Sequence, residues 1–215
     1  MEEIKTLNYT TKRNFFDVIG FLLGWFAIIT QFVLMLQNEQ AAIPEIIIRF
    51  FSFFTILTNL LVVLFFTYKT FNPSIKTFKI FDQKGALTAI TTFILIVGIV
   101  YQLVLRGLWE PKGLQRIVDE FLHAVIPIYV LIYWITFSKK EKITFREVTV
   151  WLLYPVVYLI FILIRGHFSN HYPYPFVNVS VIGYTQALMN SLLITLFSMS
   201  IMGILIFIGR KIHKH

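Results

Sequence analysis

Asp119, Glu120 and His123 lie within little more than one helical turn of each other, in a stretch that is otherwise strongly apolar. Residues four apart share a helical face, so Asp119 can accept from one His123 ring nitrogen and leave the other free to take a proton. Glu120, three residues away, is the competing partner. A second apolar stretch carries Arg49, Ser52, Thr55, Thr58 and Asn59, and a third carries Asn190. A hydroxyl, an imidazole and a carboxylate together are the ingredients of nucleophilic acyl transfer: an attacking oxygen, a base, and a group that orients the base. The same residues also have ordinary roles. Ser and Thr in apolar helices often bond their own backbone, and a buried neutral His can be a helix-packing residue. Other chemistries find little support. His167 and His171 share a loop, but no HExxH or comparable ligand set occurs and no metal is expected. Phosphate-loop and dinucleotide glycine patterns are missing, and Gly20, Gly24, Gly98 and Gly203 read as points of close helix packing.

The elements that must hold these groups are membrane spans. Of 215 residues 57% are hydrophobic and only 14% charged, where a soluble domain carries about a quarter charged. Aromatic residues reach 17%, a load suited to lipid-facing surfaces and interfacial belts. The formal charge of +8 does not indicate nucleic acid, because no stretch is long enough to build a soluble basic face. Cysteine is absent, which excludes disulfides and thiolate chemistry. A helix needs roughly 20 mostly apolar residues to cross the hydrocarbon, and six segments qualify: 15–36, 46–68, 86–105, 117–137, 148–164 and 184–208. The first is too long for a signal-peptide core, the fifth is short and should extend into its neighbours, and the connections are short. The expected fold is an all-α, six-helix transmembrane bundle, with residues 1–215 forming one domain.

Basic residues set the orientation. Lys5, Lys12, Arg13, Lys69, Lys76, Lys79, Lys84, Lys139, Lys140, Lys142, Arg146, Arg210, Lys211 and Lys214 fall on one side, 14 of the 19. Arg49, Arg106, Lys112, Arg116 and Arg165 fall on the other. This bias predicts cytoplasmic N and C termini. Counted at about 1.5 Å per residue from the outer ends of spans two, four and six, Thr55 lies roughly 13 Å below Ile46. On the same count His123 lies roughly 9 Å below Ile117, and Asn190 roughly 9 Å below Tyr184. Charged and imidazole groups at such depth are costly against lipid, so Arg49, Asp119, Glu120 and His123 should face a shared polar cavity with spans two and six. On the outer side, Arg106, Trp109, Glu110, Pro111 and Lys112 form one loop, and 167–178 is expected as a Pro-broken lid or as an aromatic anchor at the headgroups.

At these same positions the sequence resembles the androgen-induced protein family of multi-span membrane proteins, in particular its bacterial branch. The carrying segments are FFTILTNLL (53–61), FLHAVIPIYVLIYW (121–134), WLLYPVVYLIFILIRG (151–166) and YPYPF (172–176), spread over spans two to six. Animal members are threonine hydrolases that cleave fatty acid esters of hydroxy fatty acids with one essential Thr and one essential His. The resemblance implies His123 as that His and Thr55 as that Thr, with Ser52 and Thr58 as competing registers, and a location in the cytoplasmic membrane of a bacterium. The expected function is therefore intramembrane hydrolysis of a lipid ester, with no cofactor. Asp119 or Glu120 would orient His123, Arg49 would hold a substrate carboxylate, and Asn59 and Asn190 would donate to the oxyanion. The alternative is a transporter or lipid-binding protein that uses the same cavity and pairs Arg49 with Asp119.

Overall fold

The computed structural model describes residues 2–38, 40–108, 110–138 and 143–212, with side chains over 9–211. Lys139, Lys140, Lys142, Lys214, Trp109 and the Lys5 side chain lie outside the described residues. The described chain is helical nearly throughout, with no strand. Six helices are long and apolar enough to cross a membrane: Tyr9–Asn38, Phe54–Phe71, Ala86–Leu108, Leu114–Phe137, Phe145–Ser169 and Val179–Lys211.

Local sequence explains much of how these spans are built. α1 (Glu2–Asn38) lies along α3 (Phe54–Phe71) because Gly20 and Gly24 admit the Phe66 and Val63 side chains, closer than any Cβ would allow. α4 (Ala86–Val100) is the most enclosed element, packed against α3, α6 (Ile126–Phe137) and α9 (Val179–Ile212). At Gly98 an added Cβ would sit 3.0 Å from the His123 carbonyl, so span three presses directly on the turn that carries the histidine. Gly203 is different, with only ordinary contact to Phe145. Span five is α7 (Phe145–Thr149), a 3-10 turn (Val150–Leu152) and α8 (Leu153–Ser169); a Thr144–Glu147 capping box starts it. α9 contains one non-helical residue, Gly183 at φ 75, which kinks a short first turn over 179–182 away from the helix that continues from Tyr184.

Alternation of the spans brings the start of the first span, at Tyr9, and the end of α9, at Arg210, to one end of the bundle. There Lys84 Nζ lies 3.0 Å from Glu147 Oε1, and the Arg210 guanidinium donates to the Ile143 carbonyl. Asp17 is also near this end. It is an acid inside the first span, fully buried and accepting from the Tyr133 hydroxyl at 2.6 Å.

Span two departs most from expectation. Instead of one helix over 46–68, the chain forms α2 (Ile43–Phe50), a short non-helical link over 51–53, and then α3. The depth assigned to Thr55 by counting from Ile46 along one helix is therefore corrected: Thr55 is the second residue of a new helix. Neither Pro nor Gly marks this break. It persists because groups distant in sequence satisfy the freed backbone: Tyr158 donates to the Ser52 carbonyl at 2.9 Å, and Tyr174 accepts the Thr55 N–H at 3.1 Å. Irregular backbone at membrane depth requires such burial and pairing.

Candidate active site

His123 sits in a π turn, Phe121–Val125, between α5 (Leu114–Glu120) and α6; the wide turn is closed by the Ile126 N–H on the Phe121 carbonyl. Such bulges re-aim side chains and recur at functional sites. The imidazole Nδ1 is 2.9 Å from the Asp119 carbonyl and 3.3 Å from Asp119 Oδ1. Both partners accept, so Nδ1 is the donor, and Nε2 is the ring nitrogen turned to the role of taking a proton. A second π turn, Tyr101–Leu105 at the end of span three, supplies Tyr101. Its ring stacks on the imidazole at 3.8 Å between centroids, tilted by 14°, and its hydroxyl donates to Asp119 Oδ2. Asp119, 4% exposed, thus accepts from two rings and fixes both.

Thr55 enters from the opposite wall. Its hydroxyl oxygen lies 3.2 Å from the Tyr174 hydroxyl, and its N–H, free of an intrahelical partner near the start of α3, donates to the same oxygen at 3.1 Å. Tyr174 lies in the loop over 170–178. Burial pushes its phenol above the ordinary value, so it stays a neutral donor and acceptor. Pro173 and Pro175 flank it, and Asn190 Nδ2 pins the adjoining turn by donating to the Phe176 carbonyl at 2.9 Å. The prolines and this pin account for the irregular loop that the sequence indicates, although α8 runs on through Ser169 before it begins.

A cavity of about 390 Å³ joins the two walls; Thr55, Tyr174, Tyr101, Asp119 and His123 line it, together with Gln31 and Gln115. Span six does not reach it. That span contributes instead to a second cavity of about 100 Å³, which Thr55 and Tyr174 also line. Among the described residues no hydrogen bond joins Thr55 to His123; in this arrangement the threonine hydroxyl is engaged by Tyr174.

The other residues singled out in the sequence are distributed unequally. Ser52 Oγ is bound back to the Ile48 carbonyl at 2.6 Å, and Thr58 shares a hydrogen bond of 2.9 Å with Tyr154. Neither lines the two cavities, so Thr55 alone of the three hydroxyls does. Asn59 spends its amide on the Thr55 and Leu122 carbonyls, at 2.9 and 3.3 Å, tying α3 to the π turn of His123 rather than facing the cavity. Glu120 pairs with Arg106, not with His123. Arg49 pairs with Glu45 at 2.8 Å, and Arg165 reaches the same carboxylate at 2.9 Å; among the described residues no ion pair joins Arg49 to Asp119. The Arg49 hydrogen bond holds the Glu45 carboxyl below its ordinary value. Tyr101 and Tyr174 were not legible as site residues, since tyrosines near span ends are common as interfacial anchors. In comparisons with known proteins, no family model, no curated protein and no solved structure matches this chain.

Proposed function

We propose that this protein is an intramembrane lipid-ester hydrolase with a threonine nucleophile, embedded in the cytoplasmic membrane with both termini inside. The observation that carries the reading is the shared cavity: an imidazole whose Nδ1 faces two acceptors of a buried acid, and a threonine at a helix start, line the same space. His123 Nε2 takes the Thr55 hydroxyl proton as Oγ1 bonds to the ester carbon. The developing oxyanion accepts from the Thr55 N–H, which the Tyr174 hydroxyl oxygen occupies at rest. As the carbon–oxygen bond to the alcohol breaks, His123 returns the proton to the leaving oxygen. Water then attacks the acyl-threonine with His123 again as base, releasing the acid and restoring Thr55. Asp119 and Tyr101 are positioning residues. Fatty acid esters of hydroxy fatty acids are the substrates to try first, on the resemblance of the 53–61 and 121–134 segments alone.

The test is hydrolysis and fluorophosphonate labelling by the purified protein in detergent. Wild type should show both, and Thr55→Ala and His123→Ala should each abolish both with helicity retained. The double variant should be little worse than either single, because the two act as one unit. Wild-type silence on lipid esters and probe, with a lipid or ion bound or carried instead, would favour the transport or binding class.

A further inference from the structure

The start of α3 and the 173–175 loop stand between two cavities, both lined mainly by apolar side chains, that differ in the polar groups at their edges. On the His123 side the space of about 390 Å³ is edged by polar groups: the imidazole, Asp119, and the amides of Gln31 and Gln115, which bond each other at 2.8 Å. On the far side the space of about 100 Å³ is walled by Phe93, Ile96, Val97 and Leu159. Three hydroxyls of span six also border it, but each is spent on its own backbone: Ser191 on the Ala187 carbonyl, Thr195 on Ser191, and Ser198 on Ile194, all at 2.8 Å. The smaller chamber therefore offers a mainly apolar surface, aromatic and aliphatic, on which the span-six hydroxyls are already engaged.

Proton bookkeeping tells the chambers apart. The leaving alcohol must present its oxygen to the group that returns the proton, and His123 lines only the larger cavity. The acyl group stays bonded to Thr55 after the alcohol has gone, so it must extend elsewhere. We propose that the smaller cavity is the acyl-chain subsite and the larger one the alcohol subsite, divided by Thr55 and Tyr174. This assignment rests on the hydrolase reading above. It makes the substrate an ester with an apolar acyl arm, whose length is selected more tightly than that of the alcohol arm because its chamber is smaller.

Two series of esters, turned over by the full-length protein in detergent, test it. One varies acyl length from butanoyl to hexadecanoyl on a fixed p-nitrophenol; the other varies alcohol length on a fixed butanoyl group. Narrowing the small cavity from two different helices, with Val97→Phe or Ile194→Phe, should lower the long-to-short acyl ratio of kcat/KM by about tenfold or more, the scale on which hydrophobic pockets discriminate methylenes. Ile194→Ala should raise that ratio, and it supplies a reading if overpacking prevents the larger side chains from folding. The alcohol-series ratio should stay fixed in all three. Movement of the alcohol ratio instead, or of neither ratio in a protein that still hydrolyses esters, overturns the subsite assignment and leaves the hydrolase intact. Wild type inactive on every ester removes both.

Discussion

At the scale of single residues, the site depends on which nitrogen of His123 carries the proton. The Asp119 carboxylate and carbonyl both accept, and Tyr101 holds the carboxylate from its other side. Asp119→Asn retains the shape but offers an amide where an anion stood, so the imidazole loses its charge partner and its fixed tautomer. A kcat loss of about 10²–10⁴-fold with little change in KM is expected, as for other base-orienting carboxylates. Tyr101→Phe keeps the stacked ring and deletes one hydrogen bond of about 1–3 kcal/mol to a charged group. It should cost less in kcat than Asp119→Asn; an equal or larger loss would show that the phenol touches the reacting atoms.

The element that matters most is the broken span two. A continuous helix would bury the Thr55 N–H in a bond to residue 51; the break exposes that N–H beside the hydroxyl, and two tyrosines hold it open. Tyr158→Phe leaves the Ser52 carbonyl unpaired and should destabilise the fold by about 1–3 kcal/mol, read as a lower melting temperature in detergent. An unchanged melting temperature would mean that the break is held by other contacts. Span three is the second such element. Gly98→Val places carbon against the His123 carbonyl, so it should displace the π turn and remove hydrolysis while the other spans stay helical.

For the whole molecule, the ion pairs sort by end. Arg49 and Arg165 meet on Glu45 at the end opposite the termini, and burial of Arg165 makes the shared carboxylate its neutralising partner. Because the Glu45 carboxyl is held below its ordinary value of 4.5, its stabilisation is complete above that pH and fades as pH falls toward the depressed value. Glu45→Gln should therefore melt below wild type at neutral pH, with the gap closing under acid conditions; a gap independent of pH would assign the loss to shape alone. Sidedness has a direct test, since the chain has no cysteine. In intact cells an impermeant maleimide should label Gln40→Cys and Lys112→Cys but not Gln83→Cys, and the reverse pattern would invert the proposed orientation.

What the sequence determined by itself follows from short-range physics. Apolar runs of spanning length specify six helices, and a His four residues from an Asp shares its face, whatever the rest of the chain does. Asp17 is equally legible as an acid within a span, and only its Tyr133 partner, more than a hundred residues away, depends on the fold. The tertiary structure decided what depends on distant partners. The helix break ahead of Thr55 requires Tyr158 and Tyr174, more than a hundred residues away, and the same packing isolates Ser52 and Thr58 from the cavities. Asn59 and Asn190 turned to loop and turn carbonyls because those backbone groups, left unpaired in a dry interior, cost more than a side chain held away from the cavity. Which polar residues line a chamber and which brace its walls is a balance of long-range pairings, and no local spacing encodes it.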